Sequence, residues 1–296
     1  MRKLKRVLYF ALWLYCFSMK GWAQSTANRK PVKEEQSEKK KVITTATFKS
    51  TRLINGHSVE TVKRGMMDFR IHHRFGFLNQ GINDLFGLDN ATTFIGFDFG
   101  VTDRLTLGIN RSSYLRQLET VAKYRLLQQS KGFASIPLSL TLVTAAVLRT
   151  GKQTDPSNKR TFKDRTSYVS QLIIARKFCE GFSLQLVPTF VHFNYVPGHY
   201  DPNNLFSLGV GARQKISKRI SLNAEYYYQF DKFEGFRNSV AVGVDISTAG
   251  HVFQLHLTNS TGMTEPSFIH QTTGRWNKGD IHFGFNVSRM FSLKKK

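Results

Sequence analysis

The residues best placed for chemistry lie in one short run, where Asp68, Arg70, His72 and Arg74 recur at every second position. In an extended chain that spacing puts all four side chains on one face, because successive residues of a strand point to opposite sides. The other face carries Met67, Phe69, Ile71, His73, Phe75 and Phe77. One face suits charge and water, and the other suits lipid. Later alternating runs add Asp98, Lys123, Arg213, Glu225, Asp245, His256 and His282 to the wet faces. Such a mixture of acids and bases has two readings: it can line a pore that selects solutes by charge, or fill an interior with ion pairs and water that conduct little. The residues leave both open.

Metal binding and catalysis find less support. Closing the strands into a barrel would bring His72, His256 and His282 onto three neighbouring strands, but His282 would stand about three residues, roughly 10 Å, above the other two, too far for shared coordination. No metal is expected. The chain has no Gly-x-Ser-x-Gly, no His-Glu-x-x-His, no Walker loop and no paired-cysteine site. A lipid-facing hydrolase would need a Ser and a His exposed to the bilayer; His73, His192 and His251 fall on outward positions, yet none has an evident serine beside it. We therefore expect no catalytic residue, no cofactor and no enzyme, with an outer-membrane lipid hydrolase as the alternative.

These residues need strands to position them. Alternation recurs in Ile95, Phe97, Phe99, Val101; in Leu105, Leu107, Ile109; from Leu118 to Leu127; in Ile136, Leu138, Leu140, Leu142; from Ser167 to Lys177; and in Phe182, Leu184, Leu186, Pro188, Phe190. Four clearer runs follow between Phe206 and Leu257, and Ile281, Phe283, Phe285, Val287 close the series. About twelve strands result, an even number, as single-chain bacterial barrels have. The tight links Thr102-Asp103-Arg104, Glu180-Gly181, Ser217-Lys218-Arg219 and Thr248-Ala249-Gly250 alternate with long ones at 78–91, 148–164, 196–204, 230–237 and 258–278. Short periplasmic turns and long outer loops alternate in this way in outer-membrane barrels. Gln128 to Ser135 is long for a turn, and Ser112 to Gln117 is short for a loop. Phe75, Phe77, Phe190, Tyr195, Phe206, Tyr226 and Tyr228 fall at outer strand ends and suggest an aromatic girdle. The fold class predicted is all-β, an antiparallel transmembrane β-barrel in an up-and-down meander, against a soluble sandwich as the competing reading.

Before the strands, Arg2, Lys3, Lys5 and Arg6 precede an apolar run from Val7 to Met19 and then Gly21-Trp22-Ala23, the layout of a secretory signal peptide at 1–23 cleaved near Ala23. Residues 24–50 are charged, with one aromatic, Phe48, and read as a disordered periplasmic tail. The barrel domain is expected over 51–291, with Thr51 to Gly65 as a periplasmic lead-in, and a basic tail over 292–296. Removal of the signal leaves Cys179 as the only cysteine, which excludes a disulfide-built scaffold. Of the net charge of +23, +11 belongs to 51–291. No nucleic-acid recognition motif accompanies that charge, and export removes the chain from nucleic acid; anionic lipid headgroups or solutes are the better partners.

The stretch Thr51-Arg52-Leu53-Ile54-Asn55-Gly56-His57-Ser58-Val59-Glu60-Thr61, then Asp68-Phe69-Arg70-Ile71 and His73-Arg74-Phe75-Gly76, resembles the opening of a β-barrel family of unknown function, domain of unknown function 5777. Phe86-Gly87-Leu88-Asp89, Gly100-Val101-Thr102-Asp103-Arg104-Leu105 and Gly108-Ile109-Asn110-Arg111-Ser112-Ser113 continue the resemblance over most of the mature chain. It implies an outer-membrane barrel of the Bacteroidota and no activity.

The function expected is passage or binding of small polar solutes through a charged lumen, or else a structural or assembly role without conduction. The expected partners are outer-membrane lipid and lipopolysaccharide, the barrel-assembly machinery and a small polar solute, with no nucleic acid. Arg149, Lys152, Lys159, Arg160, Lys163 and Arg165 outweigh Asp155 and Asp164 and would present a basic patch to lipid phosphates on an outer loop.

Overall fold

A computed structural model describes residues 40–151, 160–196, 198 and 200–293. The signal peptide, most of the expected tail, Lys152, Lys159 and the closing Lys294-Lys295-Lys296 lie outside the described residues. Alternating side chains become twelve strands: β1 (Met66–Phe77), β2 (Ala91–Gly100), β3 (Leu105–Ser112), β4 (Gln117–Leu127), β5 (Ser139–Arg149), β6 (Thr166–Lys177), β7 (Phe182–Phe193), β8 (Asn204–Lys215), β9 (Ile220–Gln229), β10 (Ser239–Ser247), β11 (His251–Thr258) and β12 (His282–Ser292). Each pairs antiparallel with its chain neighbours, and β12 pairs with β1, so the sheet closes into a barrel with no free edge. Closure satisfies every ladder internally, the condition for crossing hydrocarbon with strands. No helix among the described residues is long and apolar enough to cross a membrane.

Outward side chains are apolar and exposed, among them Leu107, Leu142, Leu186, Leu222, Val242 and Leu255. Tyr168, Phe206, Tyr226 and Tyr228 ring the long-loop end, while Tyr124, Phe178, Phe182 and Phe253 ring the short-turn end. A soluble sandwich has no reason to place aromatics at two rims. The lumen wall has two unlike halves. From β12 through β4 it presents charged and polar groups, whereas β5 to β8 present Val143, Val147, Val169, Ile173, Val187 and Leu205, all buried. In β6, where Val169 and Ile173 point inward and Leu172 and Ile174 outward, both faces are apolar and the alternation is weak in sequence.

The two irregular links have physical causes. Between β4 and β5, Ser130–Lys131 forms a two-residue ladder with Val42–Ile43 at the short-turn rim, and the extra length serves this pairing. Between β3 and β4 the short link turns through Leu115 and Arg116, both at positive φ.

The main correction concerns the segment before β1. Residues 47–50, expected in a disordered tail, and Thr51 to Val62 of the expected periplasmic lead-in enter the barrel from the short-turn end and fold inside it, while Lys63 and Arg64 stay exposed at the rim. Thr47, Phe48, Thr51, Leu53, Ile54, Asn55, Ser58, Val59 and Val62 are all buried. An antiparallel bridge joins Arg52 to His57, and the Leu53 and Ser58 amides donate to the Gly56 and Thr51 carbonyls at 2.8 and 3.0 Å. The segment is a lumenal hairpin with its turn at 53–56. A Cβ at Gly56 would collide with the Tyr227 hydroxyl, and one at Gly211 with Leu53, so glycine is required where hairpin and wall approach most closely.

Candidate functional site

The site is the lumen and the hairpin it holds. Inward side chains of six strands donate to hairpin carbonyls. Lys123 Nζ reaches Thr51 O at 3.1 Å, Gln185 Nε2 reaches His57 O at 2.8 Å, Asn286 Nδ2 reaches Ile54 O at 3.0 Å, and Gln254 Nε2 bonds Leu53 O. Thr141 Oγ1 donates to Val59 O at 3.1 Å, and Arg213 Nη1 to Ala46 O and Thr47 O at 3.2 and 3.1 Å. Glu225 works in the opposite sense, its carboxylate accepting the Asn55, Gly56 and Ile54 amides at 2.8, 3.2 and 3.3 Å. These contacts satisfy a buried main chain that has no ladder of its own on the wall side. The apolar half-wall receives Phe48, Leu53 and Val59, each contributing about 1.5–3 kcal/mol by leaving water.

All eleven charged or histidine positions read from the sequence lie on inward faces and are buried: Asp68, Arg70, His72, Arg74, Asp98, Lys123, Arg213, Glu225, Asp245, His256 and His282. Arg70 Nη1 bridges Asp98 at 2.8 Å and Asp68 at 3.7 Å and donates to Thr51 Oγ1 at 2.7 Å. Thr51 Oγ1 in turn donates to Asp68 at 2.7 Å. Arg74 donates to Asn55 Oδ1 at 2.7 Å and Asn286 Oδ1 at 3.0 Å. Asp245 accepts from Gln254 Nε2 at 2.6 Å. The histidines do not converge on one point. His72 stacks on Phe94, with ring centroids 5.0 Å apart, and neither ring nitrogen of His256 has a hydrogen-bond partner. His282 is tied to Phe75 O at 2.7 Å and Thr261 Oγ1 at 2.9 Å. No group of three His, Cys, Asp or Glu among the described residues could hold a metal ion.

A second segment enters from the opposite end. The link between β11 and β12, expected as an outer loop, turns inward and carries the short helix α1 (Glu265–His270), every residue of which is buried. Thr264 and Ser267 hydroxyls donate to Gln117 Oε1 at 2.8 and 3.0 Å, and Phe268 packs edge-on against Tyr227 at 5.0 Å. Burial pushes the His270 imidazole down to about 3, so α1 adds no positive charge at neutral pH. Beyond α1 the link returns outward. There Asp280 takes hydrogen bonds from the Arg275 side chain and main chain and from Asn79, which pull its carboxyl down to about 2.

Hairpin and helix meet at Arg52, whose Nη1 lies 2.7 Å from Glu265 and whose Nη2 lies 3.3 Å from Glu119. Sequence reasoning missed Arg52, Glu119 and Glu265 as a set. Asn55-Gly56, a turn signature flanked by Leu53 and Ile54 on one side and Val59 and Val62 on the other, was the available signal.

The basic outer patch divides. Arg149 turns inward and donates to Gln271 Oε1 at 3.0 Å, while Arg160 sits 3.7 Å over the Tyr195 ring. Lys163 is exposed and Arg165 half-buried. The outward histidines have other partners than serine: His73 stacks on Phe285 at 5.0 Å, His192 Nδ1 meets Asn204 Oδ1 at 2.7 Å, and His251 stacks on Phe253. Among the described residues no hydrogen bond joins any of the three to a serine.

Residues 48–291 match the family described as "Membrane bound beta barrel domain (DUF5777)". No curated protein matches the chain. Among solved structures, the fold is similar to the NanC porin, at 8% identity and TM-score 0.47 over 77% of this chain and 100% of that one. It is similar to the KdgM porin at 10% identity and TM-score 0.44, over 76% of this chain and 99% of that one. It is also similar to the COG4313 outer membrane channel from Pseudomonas putida F1, at 14% identity and TM-score 0.47, over 79% of this chain and 98% of that one.

Proposed function

Because the chain belongs to the family of membrane-bound β-barrel domains of unknown function DUF5777, we propose that it is an outer-membrane barrel passing small polar solutes through its charged lumen, with the 47–62 hairpin as a resident closure. Placement in the outer membrane rests on the signal-peptide layout, the even strand number and the alternation of turns and loops. The observation that carries passage is the number of wall atoms the hairpin leaves without partners. They include both ring nitrogens of His256, Gln171 Oε1, Gln185 Oε1, and the hydroxyls of Ser207 and Ser239, none of which hydrogen-bonds to another protein atom.

Groups that no protein atom pairs call for water, since each one buried without any partner costs about 1–3 kcal/mol. A wall that is wet in another state keeps them at no such cost. The hairpin binds that wall largely through hydrogen bonds that water can replace, and its exit leads past a cleft of about 550 Å³ lined by Thr45, Glu60, Lys63, Asp103 and Arg125.

A second reading, a structural or assembly role without conduction, is favoured by the double filling of the lumen by hairpin and helix. Planar-bilayer recording separates the two. The full-length barrel should stay closed, and a variant lacking 44–62 should show steady conductance. A folded deletion variant that never conducts would transfer the conclusion to the structural role. Continuous conductance by the full-length protein would remove the closure.

A further inference from the structure

The lumen groups around Arg52 form a receptor for one kind of cation. Glu119 on β4 and Glu265 on α1 are fully buried and contact separate nitrogens of the Arg52 guanidinium, which also lies 5.6 Å from the centre of the Phe94 ring. Two carboxylates and an aromatic ring around a planar, forked cation match guanidinium better than a compact ammonium. Without the hairpin these acids lose their basic partners. Glu119 would keep the Asn110 amide, at 2.7 Å, and the neighbouring Glu265 carboxyl, whose other partners are Arg52 and, at 3.5 Å, His57, both on the hairpin. Among the wall cations Arg70 bridges Asp98 and Arg74 binds Asn286, whereas Lys123, which holds the Thr51 carbonyl of the hairpin, is released with it.

Around this seat the wall reads main chain. Amides of Gln254 and Asn286 take the successive Leu53 and Ile54 carbonyls, that of Gln185 takes the His57 carbonyl, and Glu225 takes three successive amide protons. Such groups serve the main chain of a reverse turn, whatever its side chains, because three successive amides meet one carboxylate only where the chain turns. Resting on the passage reading, which makes the hairpin removable, we propose that the open lumen binds peptides in which an arginine precedes a turn, with Glu119 and Glu265 holding the guanidinium and Arg52 acting as the resident competitor.

Calorimetric titration of the 44–62 deletion barrel in detergent tests this without requiring conductance. The probe is a capped Ala-Arg-Ala-Ala-Asn-Gly-Ala peptide, which sets the arginine ahead of a turn, compared with its citrulline twin. The arginine peptide should bind at least about tenfold more tightly, and Glu119→Gln or Glu265→Gln should abolish the difference, as expected for a charge-assisted bidentate contact. Equal binding of the two peptides, or no binding by the folded barrel, overturns the site; Lys123 turning onto Glu119 would produce that result. Discriminating binding by a barrel that does not conduct keeps the site and removes passage, whereas conductance without discrimination does the reverse. Should the deletion barrel not fold, Arg52→Ala in the full chain offers a second reading. Millimolar guanidinium, but not sodium, should then restore its heat resistance on a gel, and no restoration overturns the proposal.

Discussion

Replacement of Glu225 by alanine in the full-length protein should open the barrel. The hairpin tip presents three successive buried amides, those of Ile54, Asn55 and Gly56, and the Glu225 carboxylate is the acceptor for all of them. A buried N–H without an acceptor costs about 1–3 kcal/mol, and water entering the space left by the side chain brings the cost toward the low end. Three such groups come to about 3 kcal/mol, enough to raise the unseated fraction of the hairpin by roughly a hundredfold. Glu225→Gln keeps one acceptor oxygen and should fall between wild type and alanine. Open probability in bilayers and the entry of large antibiotics into cells carrying each variant give the comparison. An alanine variant as closed as wild type would mean that the tip is held by packing alone.

Leu255→Arg should prevent stable insertion. Leu255 lies near the middle of β11, faces outward and pairs with Val244 and Phe285 on its neighbours, so an arginine there projects into the hydrocarbon. The cost for a lipid-facing arginine at the bilayer midplane is about 2–4 kcal/mol, falling toward zero at the interfaces. The same substitution on the water-exposed face of a soluble sheet would cost almost nothing. Urea unfolding of the barrel in lipid vesicles should show this loss of stability. A similar arginine at Phe253, close to the short-turn rim, should show much less. Equal tolerance at both depths would contradict the bilayer position of β11.

The strands were legible because closure in a membrane forces a two-residue period on nearly every crossing, and Asp68 through Arg74 show that period without interruption. Their charged faces followed directly. β6 was less clear: Val169 and Ile173 point into a half-lumen that is apolar, so both faces carry similar residues and the alternation fades. The hairpin was not legible as an insert. Its apolar residues Leu53, Ile54, Val59 and Val62 follow no strand period, because they answer to a wall that wraps around them rather than to a single sheet face. The partners that hold it, Gln185, Gln254 and Asn286, are ordinary polar residues whose convergence depends on barrel register. Glu119 and Glu265 lie on different elements, one of them in a link expected outside, and no local spacing connects them to Arg52.

The position of the hairpin in the chain bears on how the barrel is made. Its contact with Arg70 spans only 19 residues, but its contact with Asn286 spans 232. β1 and β12 meet at the seam, and joining them requires the most distant part of the chain to return, the step with the greatest loop-closure entropy. Thr51 and Asn55, already docked on β1 through Asp68, Arg70 and Arg74, would present Ile54 O to Asn286 on the arriving strand. The hairpin then acts as a template for the seam before it acts as a plug. On this account, refolding of the 44–62 deletion barrel should be slowed at the closing step while its early strand formation keeps the wild-type rate, and time-resolved gel shifts in lipid vesicles would separate the two; equal closing rates would restrict the hairpin to the finished barrel.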